Sequence, residues 1–395
     1  MSLHSPAVAK EELPFNTARL DALMDTAGLD VLLVCSKHNV QYMLGGYRFF
    51  FFEYMDAIGV SRYLSFFIYE KGRPEHAGYI GNPMERDEKQ RFSHWVHESD
   101  LGSWKSVDAM NQAIAFIRRN GLAAGRIGVE SAFLPADAYN ALRAGLPNSE
   151  VVDATIVLER LRAIKTPQEL DMLRNASEKV VDSMAAVVAT HGAGATKNDL
   201  VHALQREEVA RGLTWQFCLI SMGQSFNRAP SDQIWQPGDV LCLDSGGNYN
   251  GWVGDMARMA ILGEPDSELQ DLLGVIDEIQ QACRRLIRPG TLGRDLFPEA
   301  QALVDVSRHK DYLSFVIHGM GLITHEAPRL TPNGSVPYEA SDAALPLEEG
   351  MVLSVETTML HPRRGFIKLE DTIAVTSNGY EPFGDGHRGW NQAGG

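Results

Sequence analysis

Apolar and polar positions recur with two different periods along this chain, and the dominant period changes part-way. Residues 18–29, ARLDALMDTAGL, carry apolar side chains at helical spacing, and residues 30–36, DVLLVCS, follow as an apolar run of strand length. Residues 61–80 read as two strands around a Gly-Arg-Pro turn. Residues 107–130 predict a helix that stops near Gly121 and then a strand. Alternating helices and strands of this kind predict an open α/β domain.

Near residues 155–167 the texture shifts to long amphipathic helices. Thr166-Pro167-Gln168-Glu169 has the form of a helix start, with a hydroxyl at the cap and proline at the first helical position. From residue 215 onward the pattern is strand-rich: 216–222, 239–246, 351–359 and 368–376, with a helix over 267–287. No short-period repeat, low-complexity tract or long linker interrupts it. A chain of 395 residues is too long for one typical core, so the shift predicts two domains, 1–158 and 159–395.

Composition narrows the function classes. A formal net charge of −15 argues against nucleic acid as a partner, because phosphate binding needs clustered Lys and Arg. No apolar run reaches the roughly 18–20 residues that span a bilayer. The N-terminal stretch lacks the basic-then-apolar pattern of a secretory signal, and Met1 to Leu3 are compatible with an expression remnant. Cys35, Cys218, Cys242 and Cys283 form no CxxC pair and sit in apolar segments, as buried thiols in a reducing compartment do. These features predict a cytoplasmic protein.

The chemistry gathers in the second half. In residues 240–259, VLCLDSGGNYNGWVGDMARM, an apolar strand is expected to end at Asp244, and a Gly-Asn-Tyr-Asn-Gly turn to reverse the chain toward Asp255. Such a hairpin brings two carboxylates together, which a divalent cation would stabilise; each Asp read alone is more readily a turn cap. Residues 315–330, FVIHGMGLITHEAPRL, place His318 beside a glycine-flanked turn and His325 one turn later. The spacing is not HExxH, and either histidine alone is as readily a polar loop residue. Glu356 and Glu370 each lie inside an otherwise apolar strand, where a charge is costly unless paired, metal-bound or turned to solvent by period-two alternation. Four carboxylates and one imidazole suit a pair of divalent transition ions better than one structural zinc. A two-metal site of that kind can hold a bridging hydroxide and polarise a carbonyl.

The order and spacing of these segments resemble the pita-bread metallopeptidase family of prolidase, aminopeptidase P, methionine aminopeptidase and creatinase. LDSGGNYNGWVGDMAR is similar to LDxGxxYxGYxxDxTR, HGMGLITHEAP to GHGxGxxxHExP, GMVLSVE to GMVxxxE and GFIKLEDTIAVT to GxRxEDxxxVT. LRAIKTPQELDMLRNA resembles the entry helix LRxIKxxxEIxxMRxA, and residues 19–47 resemble the creatinase-type N-terminal domain. The resemblance implies an α/β (α+β) chain with a C-terminal pita-bread fold, a curved antiparallel sheet with helices on its outer face. It implies metal ligands Asp244, Asp255, His318, Glu356 and Glu370, with Asp255 and Glu370 bridging two divalent ions, manganese foremost and cobalt, iron or zinc also compatible. It places Glu356 as the acceptor of the nucleophile's proton and His325 as a catalytic residue that binds substrate and stabilises the tetrahedral intermediate. It also implies a homodimer, for which residues 46–63, GYRFFFFEYMDAIGVSRY, are the candidate contact through Arg48, Glu53, Tyr54, Asp56 and Arg62.

Three positions depart from the family pattern. Peptidases of this type carry a substrate-binding histidine about seventeen residues before the first Asp, where this chain has Asn227. Thr357-Thr358 replace the usual Pro-Gly, and Lys368 replaces an arginine. These changes are expected to spare the metal site and alter the substrate wall. The expected activity is therefore hydrolysis of a C–N bond in a short peptide of the Xaa-Pro type. The alternative is hydrolysis of a small non-peptide metabolite, as in creatinase or ectoine hydrolase, with a lyase or a non-catalytic binding module behind it. Creatinase itself lacks the complete ligand set retained here.

Overall fold

The computed structural model describes residues 13–54, 63–92, 94–331 and 339–393. The expectation for Met1 to Leu3, and the part of the aromatic segment at 55–62 that includes Asp56 and Arg62, lie outside the described residues. The chain divides into two units, Met1–Leu161 and Arg162–Gly395. The division falls near the end of the helix Thr155–Arg162.

The first unit is built on a mixed sheet of six strands: β1 (Val31–Val34), β2 (Phe66–Glu70), β3 (Gly78–Ile80), β4 (Glu98–Asp100), β5 (Arg126–Val129) and β6 (Glu150–Asp153). Their spatial order is β4-β3-β2-β1-β5-β6. β1 is buried along its whole length, as its unbroken apolar run requires for a central strand. The aromatic run after it divides by side. Phe49 and Phe52 are buried, whereas Phe50 and Tyr54 are each 48% exposed and Arg48 pairs with Glu53 at 2.7 Å.

The second unit holds β7 (Thr214–Met222), β8 (Val240–Tyr249), β9 (Trp252–Leu262), β10 (Leu313–Gly319), β11 (Val352–His361), β12 (Gly365–Thr376), β13 (Gly379–Phe383) and β14 (Asn391–Ala393). The main path runs β10-β11-β12-β9-β8-β7, with neighbours antiparallel, while β13 joins β12 and β14 joins β9. The helix Pro167–Thr190 starts at the predicted cap: Thr166 accepts from the Glu169 N–H and Glu169 accepts from the Thr166 N–H. It shares one core with Ile220, Leu243 and Met256. The helix Ser267–Arg285 shares the other with Val355, Ile317 and Leu369.

The hairpin between β8 and β9 differs from the sequence expectation. β8 does not end at Asp244; it continues to Tyr249, and the turn is only Asn250-Gly251. Both turn residues have positive φ, 54° and 104°, the backbone that Asn-Gly supplies at least cost in a two-residue hairpin. Gly247, which the sequence pattern put in the turn, lies inside the strand, as does Gly246. Cβ atoms there would come within 2.5 Å of the Phe217 ring and 2.7 Å of Leu213, so the missing side chains let those neighbours close in.

One buried acid lies behind the hairpin. Glu208 is fully buried on the helix Lys197–Ala210, and burial pushes its carboxyl up to about 8 against the opposing Ser245 contact. Ser245 Oγ lies 2.9 Å from Glu208 Oε1 and 2.6 Å from the Phe217 carbonyl. A hydroxyl has one proton, so a protonated Glu208 donating to Ser245 satisfies both contacts. The folded state then keeps a proton that the unfolded state loses near pH 4.5. That stability is full at low pH and fades as pH rises through about 8. Glu208→Gln keeps a neutral side chain of the same shape. Melting curves of the two proteins should run together at pH 5 and separate by pH 9, with wild type falling further by about 2–4 kcal/mol. Parallel curves across that range would show that Glu208 does not titrate this way.

Candidate metal centre

Strand alternation builds the site. Antiparallel pairing sets Asp244 opposite Ala257, Ala257 opposite Glu370, Glu370 opposite Glu356 and Glu356 opposite Val316. Directly paired residues share a face, so Asp244, Glu370 and Glu356 project from one side of the sheet. Asp255, two before Ala257, and His318, two after Val316, project from that same side. Their immediate neighbours Leu243, Met256, Ile317, Val355 and Leu369 project from the other and enter the helix-packed cores. The face carrying the candidate ligands is buried too: Asp244, Asp255, His318, Glu356 and Glu370 are all 9% exposed or less. Alternation therefore does not turn Glu356 or Glu370 to solvent.

The five residues come together with His325. Ligand atoms of Asp244, Asp255 and Glu370 lie within 4.8 Å of one another, as do those of His318, His325 and Glu356. His318 Nε2 is 2.9 Å from Glu356 Oε1, and its Nδ1 is 3.2 Å from the Gly319 carbonyl. An Nδ1–H donated to that carbonyl leaves Nε2 as the ligand atom. His325 stacks on His318, with ring centroids 3.8 Å apart and planes 18° apart. Ser354 Oγ donates to Glu370 Oε1 at 2.8 Å.

Charge in this patch is unbalanced by carboxylates alone. Burial, then the neighbouring Glu370 and Asp244, raise the Asp255 carboxyl well above its usual range. Burial and Glu356 push Glu370 up to about 7. Burial also works on Glu356, but Lys368 and His318 outweigh it and hold that carboxyl below the usual range. His318 moves up because Glu356 more than offsets burial, whereas burial and His318 lower His325 to about 4. At neutral pH, His325 is thus a neutral ring with one N–H.

Two cations belong to this patch: Lys368, which the sequence pattern had placed in the substrate wall, and Arg228, which it had not singled out. Lys368 does not merely line a substrate wall. Its Nζ lies 2.6 Å from Asp244 Oδ2 and 2.7 Å from both Glu356 Oε2 and Glu370 Oε2. The signal was available: Lys368 is two residues before Glu370 in a strand, hence on the same face. Asn227 is exposed and occupied in its own turn, where its Oδ1 accepts from the Ala229 N–H and its carbonyl accepts from Lys197 Nζ. Arg228 is the residue that reaches inward, pairing with Asp244 and lying 4.9 Å over the Phe366 ring. Thr358 shares the Glu356 face opposite Lys368, whereas Thr357 points to the other side and is buried.

The donor set fits divalent metal. Asp255 Oδ1 is buried with no hydrogen-bond partner among the described residues, which is costly for a carboxylate unless a cation takes it. Four carboxylates and two imidazoles within a few ångströms are the oxygen-rich, nitrogen-containing surroundings that manganese, cobalt, iron and zinc accept.

Residues 171–377 match the family model of metallopeptidase family M24, and residues 17–164 match that of the creatinase/prolidase N-terminal domain. The chain belongs to metallopeptidase family M24. As an M24 chain it is a metal-dependent hydrolase with the pita-bread fold. It is similar to a creatinase from Bacillus sp. (strain B-0618), 25% identical over 410 residues that span 97% of this chain and 94% of the relative. It is also similar to an Xaa-Pro dipeptidase from Lactobacillus delbrueckii subsp. lactis, 24% identical over 93% of this chain and 96% of the relative. The solved Xaa-Pro dipeptidase from Bacillus anthracis shares the fold, with a TM-score of 0.78 at 21% identity over 95% of this chain and 98% of that one.

The M24 site leans on a second buried charge cluster. Glu326, beside His325, accepts from Arg162 at 2.8 Å and from Lys165 at 3.1 Å, and all three side chains are at most 1% exposed. Its backbone N–H donates to the Gly319 carbonyl at 3.0 Å, closing the turn that carries His325 back toward His318. Glu326→Ala leaves two buried cations without their carboxylate. It should lower unfolding free energy in denaturant titrations by about 3–5 kcal/mol. A loss below about 1 kcal/mol would mean that the cluster relaxes to water and does not anchor the turn.

Proposed function

We propose that this M24 chain is a dinuclear peptidase of the Xaa-Pro type, cleaving the C–N bond of a short peptide. The observation that supports it most directly is the pairing of two cation-hungry clusters on one sheet face, joined by the Glu356–Glu370 pair. Asp244, Asp255 and Glu370 would hold one ion, and His318 and Glu356 the other, with Asp255 and Glu370 shared. When bound, divalent ions would supply Lewis acidity toward the scissile carbonyl and an activated water.

The chain's own residues set up the rest. Lys368 and His318 keep Glu356 ionised, the form that accepts a proton. The His325 ring, whose pKa burial lowers to about 4, would offer one N–H to an oxygen that gains negative charge. We read manganese as the working metal, the cytoplasm as the compartment and a homodimer as the assembly. Four buried free cysteines suit a reducing compartment, and the half-exposed Phe50 and Tyr54 suit a contact surface. Among the described residues no helix is long and apolar enough to cross a membrane.

A second reading is hydrolysis of a small non-peptide amide or guanidino compound. It is favoured by the exposed Asn227 at the place of the peptidases' histidine, and by a creatinase relative that aligns with nearly the whole chain. A panel of Xaa-Pro dipeptides set against cyclic amides and guanidino compounds separates the two. Turnover of dipeptides alone supports the peptidase, and turnover of the others alone overturns it.

Two substitutions test the residue roles. Asp255→Ala should remove at least one ion per chain by elemental analysis, because a shared carboxylate serves both positions. His325→Ala should keep its metal and its melting temperature while kcat falls about 10²–10³-fold, the usual worth of one oxyanion donor. Stability lost in proportion to activity would instead make His325 a part of the turn. Full turnover after exhaustive chelation would sink the metal mechanism as a whole.

A further inference from the structure

Lys368 poses a problem that the metal centre must solve. It lies 3% exposed on β12, and its ammonium touches one carboxylate oxygen each from Asp244 on β8, Glu356 on β11 and Glu370 on β12, all at 2.6–2.7 Å. The contact to Asp244 is a hydrogen bond, and those to Glu356 and Glu370 are ion pairs, so one ammonium answers three carboxylates. Those carboxylates are three of the four proposed to hold metal. A transition ion needs such oxygens at about 2.0–2.2 Å. An ammonium and a divalent ion on the same oxygens would sit close enough to repel strongly in a buried setting.

The overlap is uneven. With Asp255 and Glu370 shared, Lys368 holds two of the three ligands of the Asp244–Asp255–Glu370 position and two of the four of the other, where the His318 ring lies outside its contacts. Asp255 Oδ1 and the two imidazoles lie outside its contacts. A lysine stem has four rotatable carbons, so the head can withdraw without moving the strand.

We propose that Lys368 is an internal stand-in cation: it holds the carboxylates together when metal is absent and competes with metal for them, chiefly at the Asp244–Asp255–Glu370 position. The inference rests on the metal-centre reading above. The first ion enters beside His318, where Lys368 interferes least. The second enters only as Lys368 withdraws, so the two positions load with different affinities. The centre never presents four bare buried carboxylates at once, and metal occupancy stays reversible.

The test compares wild type with Lys368→Met, which keeps length and removes charge, and Lys368→Gln, a shorter polar variant for use if the first does not fold. Each protein is stripped with chelator, melted in chelator, and then titrated with Mn²⁺ by equilibrium dialysis with elemental analysis. Wild type should bind two ions in two separated steps. The variants should melt lower than wild type in chelator, because the carboxylates lose their counter-charge. They should also bind the second ion at least ~10-fold more tightly, which corresponds to about 1.4 kcal/mol. Added Mn²⁺ should close the gap in melting temperature. Isotherms that superimpose, or a single class of equal sites in wild type, would overturn the role of Lys368 while leaving the metal centre standing. No Mn²⁺ bound by any of the proteins would instead overturn the metal centre, and this inference with it.

Discussion

Four carboxylates buried on one face of a sheet repel one another, and nearly every other feature of the second unit makes that arrangement tolerable. The direct pairing of Glu356 with Glu370 across β11 and β12 is the sharpest case, because like charges in facing positions destabilise a sheet. Register leaves no alternative, since slipping either strand by one residue would send Leu369 or Val355 to the polar face and a glutamate into the helix-packed core. The apolar side of the strands thus enforces the electrostatic strain on the other side. Cations must relieve it: Lys368 and Arg228 within the chain, and divalent ions by the chemistry of the donors.

The scaffold under this patch is held by charge as well as by apolar packing. Asp371 follows Glu370 and points to the opposite face, where it meets Arg258, Arg284 and Arg388. Burial alone would raise its carboxyl, and the three guanidinium groups together bring it below the usual range. Arg258 also donates to the carbonyls of Ala257, Glu370, Gly384 and Gly386, tying β9, β12 and the C-terminal segment into one piece. The Glu326 cluster does the same for the turn that carries His325. Ligand positions fixed from both sides are what a site needs if metal geometry is to come from the protein rather than from rearrangement on binding.

Where the sequence pattern misled, the cause was consistent. Gly247 looked like a turn residue because glycine is common in turns, but here it makes room for Leu213. Lys368 looked like a substitution in a substrate wall because it was compared with an arginine at a motif position. Its spacing of two from Glu370 in a strand was the better guide. Arg228 carried no signal at all, since a lone arginine in a polar loop reads as solvated until the fold shows where the loop lies.

The sequence by itself determined the elements and which side chains are candidates to hold metal. The period-two strands, the Thr166 cap and the Asn250-Gly251 turn are local consequences of side-chain chemistry and backbone preference, and the motif order names the family. The six residues His318, His325, Asp244, Asp255, Glu356 and Glu370 were all legible as chemistry before any contact was known. Only the tertiary structure decided which of them share a face, and that the face is buried. It alone decided which cations answer the carboxylates, because strand order and register across β8, β9, β12, β11 and β10 are set by packing between segments far apart in the chain.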